Sequence, residues 1–146
     1  MFTGLLHLHS FLRWVLLLLL IVGLIKAYVG WLGKKPFTAG DKKVHLFLMI
    51  AAHIQLLLGI VLYTMSKLVA AGLSDMGFAM KDTQLRFWAV EHIAAMVIAI
   101  VLITIGRSKS KKAELDVNKH KFPAIFYTIA ILIILWAIPW VERGWF

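Results

Sequence analysis

The sequence predicts an all-α integral membrane protein: one domain of 146 residues, folded as an up-down-up-down four-helix bundle. Its composition is 62% hydrophobic and only 16% charged, whereas soluble domains average about 45–50% apolar and about 25% charged residues. Four apolar runs are each long enough to cross a bilayer as a helix. These runs lack the in/out alternation of membrane-barrel strands, which excludes a β-barrel interpretation.

The first two spans are predicted at 4–32 and 44–66. The first begins without Lys or Arg and is too long for the apolar region of a signal peptide, so we expect it to remain as a membrane span. The basic loop between the two spans contains Thr38 and Asp41, which fit a capping box with either residue as the cap.

The last two spans are predicted at 84–105 and 122–140. The segment 67–84 before them is irregular but still rather apolar. We expect it to lie partly at the membrane interface, or to extend the second helix by its first turns. Pro123 suits the first turn of the fourth helix, because a proline costs no hydrogen bond there.

The positive charges define the orientation. The first loop contains Lys34, Lys35, Lys42 and Lys43, and the third contains Arg107, Lys109, Lys111, Lys112, Lys119 and Lys121. The middle loop has only Lys67 and Lys81, offset by Asp75 and Asp82. The positive-inside rule therefore predicts that loops one and three lie in the cytoplasm and that both termini lie on the outer side. The rule also explains the net charge of +9 without nucleic acid, and membrane lipids are the expected partners of the basic loops.

Several chemistries are excluded by what the chain lacks. It has no cysteine, which excludes disulfides, cysteine-ligated iron–sulfur clusters, a thiolate nucleophile and covalent haem attachment. It also has no H-E-x-x-H motif, no glycine-rich phosphate loop and no plausible nucleophile–base pair. We assign no catalytic residues, and expect an electron carrier or a subunit of a larger membrane complex rather than a stand-alone enzyme.

Six polar residues inside the predicted spans form the candidate site: His9, Arg13, His53, Gln55, Glu91 and His92. A charged side chain near the bilayer centre costs at least ~2.5–3.5 kcal/mol, so such residues usually have partners and a function. With a rise of about 1.5 Å per residue, His9 and His92 reach similar depths from the same side, while His53 falls near the middle.

Two histidines at one depth on different helices are what a b-type haem requires as axial ligands. We therefore expect haem b ligated by His9 and His92, with His53 as the competing ligand. Arg13 shares the face of His9 and could pair with Glu91 or with a haem propionate. The side chain of Gln55 could bind a propionate or a quinone carbonyl. The remaining histidines, at positions 7, 45 and 120, are expected to be interfacial polar groups.

Two other functions fit the same residues. The polar cluster could lock the helices of a haem-free accessory subunit, or it could conduct protons or ions through Arg13, His53, Glu91 and His92. Gly23 and Gly30 likewise suit either a porphyrin or the close helix packing that is common in lipid.

Four motifs mark the chain: LLHLHSFLRW at 5–14, AHIQ at 52–55, RFWAVEH at 86–92 and IPW at 138–140. In these motifs it resembles the small four-span, cytochrome b-like membrane proteins of Bacteroidetes-type bacteria, and the resemblance covers essentially the whole chain. The resemblance implies a membrane cytochrome of b type in a bacterial inner membrane, with both termini on the periplasmic side. Larger two-haem membrane cytochromes place four histidines in two depth-matched pairs, whereas the fourth predicted span here has no internal histidine. One haem is therefore expected.

Overall fold

The computed structural model describes residues 1–140 and confirms the all-α four-helix architecture. The helices are α1 (Phe2–Leu32), α2 (Ala39–Met65), α3 (Lys67–Ser74), α4 (Met76–Ala79), α5 (Thr83–Arg86), α6 (His92–Lys112) and α7 (Asp116–Ala137). A π-helical turn, Phe87–Glu91, joins α5 to α6. Four helical segments are long and apolar enough to cross a membrane: α1, α2, Thr83–Lys112 and α7. The chain is therefore a multi-pass membrane protein.

The four long helices form a closed ring of neighbours. Helix α1 packs along α2 and α7, and α6 packs along the same two helices. Helices α1 and α6 therefore face each other across the bundle. The centre is filled by fully buried side chains that include Leu20, Leu48, Ile103 and Tyr127. Large apolar side chains such as Leu18, Leu57 and Leu132 remain more than 60% exposed on the outside, where lipid would cover them.

Helix α2 begins five residues before the predicted start, because Thr38 forms the N-cap. The Thr38 hydroxyl accepts from the Asp41 N–H at 3.2 Å, and the Asp41 carboxylate accepts from the Thr38 N–H at 2.9 Å. This confirms the capping box and identifies Thr38 as the cap. The other carboxylate oxygen of Asp41 lies 3.3 Å from Lys26 Nζ and ties α2 to α1. The start predicted from the sequence, position 44, is later because the first turn of α2 is polar.

Pro123 was predicted at the start of the fourth helix, and this prediction was wrong: α7 begins at Asp116 and contains Pro123 in its interior. A proline inside a helix has no N–H for the carbonyl four residues earlier, here that of Lys119. Ser110 compensates from α6, because its hydroxyl donates to the Lys119 carbonyl at 2.7 Å. The side chain of Ser110 is buried at this junction.

Ser110→Ala is expected to lower the free energy of unfolding by about 1 kcal/mol, because the Lys119 carbonyl loses its donor in a buried position. The measurement is an unfolding titration with sodium dodecyl sulfate in mild detergent. Ser74→Ala is the matched control, since the exposed Ser74 hydroxyl donates only to a carbonyl of its own helix. Equal effects of the two substitutions would show that the Ser110 hydrogen bond does not compensate for Pro123.

The segment between the second and third spans folds back onto the third. Ser66 ends α2 with an extended backbone and caps α3, its hydroxyl accepting from the Val69 N–H at 3.3 Å. The chain therefore turns here and does not continue α2. Helix α3 packs against the π-helical turn, where a Cβ added at Gly72 would lie 2.9 Å from the Ala89 Cβ. Only glycine allows this approach.

Candidate functional site

The candidate site is a cavity near the N-terminal end of α1, which we call the N-terminal cavity. It is formed by α1, α2, α3, the third span and the end of α7, and its free volume is about 110 Å³. Most of the lining is aliphatic or aromatic, and its principal polar members are His9, Ser10, Arg13, Gln55, Tyr63, Trp88 and His92. The structure thus brings together four of the six predicted site residues.

The π-helical turn shapes one wall of this cavity. Its closing hydrogen bond runs from the His92 N–H to the Phe87 carbonyl, five residues back, and such turns are frequent at functional sites. The Ala89 carbonyl accepts from the Tyr63 hydroxyl at 2.7 Å, which joins the turn to α2. Nothing in the hydropathy of 84–105 distinguishes a π turn from an α-helix, so the sequence did not reveal it.

His92 is oriented by the end of α7. Its Nδ1 lies 2.8 Å from the Ala137 carbonyl oxygen. A carbonyl can only accept, so Nδ1 carries a proton. A backbone carbonyl on the far nitrogen is the arrangement that typically orients metal-ligating imidazoles. The rings of Phe87 and Trp88 pack on His92 with centroids 5.6 and 5.5 Å away, so the imidazole is held by both a hydrogen bond and packing.

His9 is fixed on the opposite side by α2. The Gln55 amide donates to the His9 carbonyl at 2.9 Å, and a Cβ added at Gly59 would lie 3.4 Å from the His9 Cε1. Gly59 therefore lets the imidazole lie close against α2. Among the described residues the Gln55 Oε1 is buried without a hydrogen-bond partner. Gln55 thus has an acceptor for a ligand hydroxyl in addition to its role in holding α1.

Arg13 lines the cavity one helical turn beyond His9, and its side chain is buried. Its guanidinium lies over the Trp14 ring, 4.9 Å from the centroid, a cation–π contact that stabilises the charge. A guanidinium in this position can bind a carboxylate in bidentate geometry. The site therefore combines a cation with two imidazoles.

Glu91 binds Arg86, the arginine of its own segment. Arg86 Nε donates to Glu91 Oε1 at 2.7 Å, and Arg86 Nη1 donates to the Met80 carbonyl at 2.9 Å. In a π turn residues five apart share a face, which explains this pairing. Both side chains are about one-third exposed, and Glu91 is not a cavity-lining residue. The pair anchors the turn at Met80 to the start of the third span.

His53 lies apart from His9 and His92. It is exposed on α2, and its Nε2 lies 3.4 Å from the Thr104 hydroxyl. Gln55, two residues later, lines the cavity instead, because residues two apart on a helix point to different faces. Within residues 1–140, no group of three or more His, Cys, Asp or Glu side chains is placed to hold a metal ion. A metal held by His9 and His92 would need its other ligands from a cofactor.

Two histidines expected to be interfacial polar groups, His45 and His120, are buried between the helices. His45 and His120 are each only 2% exposed. The Tyr127 hydroxyl bonds His45 Nδ1 at 3.1 Å, and His120 Nε2 lies 3.2 Å from the Lys35 carbonyl oxygen. Helices α2 and α7 both begin about five residues before the apolar runs, so these histidines pack inside the bundle.

A scan against protein-family models and searches of curated proteins and of solved structures found no match to this chain. The fold and the cavity therefore define the protein by class: a multi-pass, four-helix membrane protein with an apolar cavity that contains two histidines and a buried arginine.

Proposed function

We propose that this protein is a b-type cytochrome of the bacterial inner membrane, which binds one haem b between His9 and His92 and carries electrons. The observation that supports it is that two histidines, from helices that face each other across the bundle, line the same apolar cavity. Iron in a haem b takes an imidazole on each side of the porphyrin plane.

The chemistry of the lining residues fits this cofactor. The Ala137 carbonyl orients His92 through Nδ1, so Nε2 of the neutral imidazole would ligate iron, and Gly59 gives the His9 ring room against α2. Arg13 would neutralise a propionate, and the aliphatic side chains would contact the macrocycle. The haem would supply one-electron chemistry, and the apolar lining and the charge of Arg13 would adjust its potential.

The source of electrons in this proposal is a quinol. Gln55 Oε1 can accept the hydrogen bond that a quinol hydroxyl donates. The carbonyl of a quinone would instead need a donor, and one N–H of the Gln55 amide already binds the His9 carbonyl. With loops one and three in the cytoplasm, as the positive-inside rule predicts, the N-terminal cavity would open on the periplasmic side. Subunits of a respiratory or another membrane complex are the proposed electron partners.

The test is a reduced-minus-oxidised optical spectrum of the full chain, purified in mild detergent from cells supplied with ample haem. We expect the sharp band of a six-coordinate b-type haem, with about one haem per chain by pyridine haemochrome assay. A flat spectrum from a folded, haem-exposed preparation would reject the cytochrome function.

A haem-free accessory subunit is the second candidate, because several polar groups of the cavity already bond across helices. His92 binds α7, Gln55 binds α1 and Tyr63 binds the π-helical turn. If the cluster only locks the bundle, the protein stays folded without pigment and changes at these positions alter stability alone. Ion conduction has no comparable support, because Glu91 binds Arg86 and does not line the cavity.

A further inference from the structure

A second pocket lies at the opposite end of the bundle from the N-terminal cavity. We call it the basic pocket. Its free volume is about 140 Å³, and its lining residues are Phe37, Lys42, His45, Arg107, Ser110, Lys111 and Lys119. They come from α2, α6, α7 and the first loop. We infer that this pocket binds a phosphate group, either in the headgroup of an anionic lipid or in a soluble phosphate compound.

The charge of the pocket favours an anion. Four of its seven lining residues are cationic and none is acidic. The nearby carboxylates are engaged elsewhere: Asp41 binds Thr38 and Lys26, and Asp116 accepts from the Phe37 N–H at 3.2 Å. Four like charges around one concavity repel each other, and a phosphate would relieve that repulsion.

Arg107, one of the two part-buried cations of the pocket, has only a weak hydrogen-bond partner. Arg107, part-buried on α6, donates from Nη1 to the sulfur of Met49 at 3.6 Å, and a thioether is a poor acceptor. No carboxylate among the described residues forms an ion pair with Arg107. A guanidinium with unused donors matches the oxygens of a phosphate in geometry as well as in charge.

His45 adds a polar ring to the lining. Its ring is 2% exposed and stacks on Phe37, with centroids 5.8 Å apart and planes at 7°. Its Nδ1 lies 3.1 Å from the Tyr127 hydroxyl, and its Nε2 is buried without a hydrogen-bond partner among the described residues. When Tyr127 donates to Nδ1, the imidazole proton sits on Nε2. A buried N–H without an acceptor is costly, and a phosphate oxygen would provide one.

The position of the pocket favours a lipid as the source of the phosphate. Lys42 lies in the first turn of α2 and Lys111 in the last turn of α6, so both are at the ends of membrane spans, where headgroups lie. Basic residues in this position attract anionic lipids. Arg107 lies about one turn inside Lys111, deep enough to draw the phosphate between the helices.

The test compares two double variants with equal loss of charge. Lys42→Gln with Lys111→Gln removes two exposed lysines that line the pocket, and Lys43→Gln with Lys112→Gln removes their exposed chain neighbours, which do not line it. Binding of dioleoylphosphatidylglycerol to the full chain in detergent is followed by native mass spectrometry, with dioleoylphosphatidylcholine as the neutral lipid. We expect the pocket variant to bind phosphatidylglycerol about 30-fold more weakly, and the neighbour variant to bind it like the wild type.

Competition with inorganic phosphate distinguishes the two sources of the phosphate group. If millimolar phosphate leaves phosphatidylglycerol binding unchanged, the site belongs to a lipid headgroup. If phosphate displaces the lipid from the wild type, the site accepts soluble phosphate compounds. Equal losses in both double variants would overturn the inference, because the lipid would then respond to diffuse surface charge. Equal binding of both lipids by the wild type would overturn it as well.

Discussion

His92→Ala abolishes the b-type absorption band, and His53→Ala leaves the band intact: this is the result we expect if the proposed function is correct. His92 lines the N-terminal cavity, whereas His53 is exposed on α2 beside Thr104. Loss of an axial imidazole removes one of the two protein ligands of the iron. The measurement is the reduced-minus-oxidised spectrum at equal protein concentration, together with the haem content per chain.

His53→Ala is the matched control, since it removes the same side chain from a neighbouring span outside the cavity. His9→Ala should lose the band as His92→Ala does, because both ligands would be required for the low-spin form. Added imidazole should restore the band in His92→Ala by entering the space that the side chain leaves. A variant of His92 that keeps the wild-type spectrum, or loss of the band in His53→Ala, would contradict the assignment of the ligands.

Gly30→Leu should destabilise the bundle by about 3 kcal/mol, the upper part of the usual range for overpacking a buried site. A Cβ at Gly30 would lie directly against the ring of His120. That ring is 2% exposed, is bonded to the Lys35 carbonyl and lies edge-on to Phe37 at 5.2 Å. It has little freedom to move. The measurement is the free energy of unfolding in detergent by sodium dodecyl sulfate titration.

Gly4→Leu is the control for this prediction, because it makes the same change on the same helix. Gly4 is exposed, and a Cβ there would meet nothing within 4 Å, so we expect a small effect. In a His120→Ala background the penalty of Gly30→Leu should fall sharply, since the new side chain would occupy the space of the imidazole. Equal effects of the two glycine substitutions would show that α1 and α7 do not pack closely at Gly30.

The relation between sequence and structure is clearest at the helix ends. The apolar runs predicted four spans because burial in lipid demands long, uninterrupted apolar helices. Hydropathy cannot register the polar turns that extend those helices, so α7 was predicted to begin at position 122 and in fact begins at Asp116. The position of Pro123 inside α7 became intelligible only from Ser110, which lies on another helix and supplies the missing donor.

For the candidate site as well, the sequence predicted some features and missed others. Helical spacing placed Arg13 on the face of His9, and both line the N-terminal cavity. Helical spacing could not establish which side of α2 faces inwards, because His53 and Gln55 are both polar and point to different faces. Nor could it identify the partner of Glu91, since a π turn changes which residues share a face and has no hydropathy signal.

The sequence by itself determined that this chain is a four-span, all-α membrane protein with histidines and an arginine inside its apolar spans. Composition and run length suffice for that, because the cost of unpaired backbone in lipid leaves few alternatives. The tertiary structure decided that His9 and His92 line one cavity while His53 does not, and that four cations surround a pocket at the other end. Those outcomes depend on helix rotation and on contacts between residues distant in the chain, which no local pattern specifies.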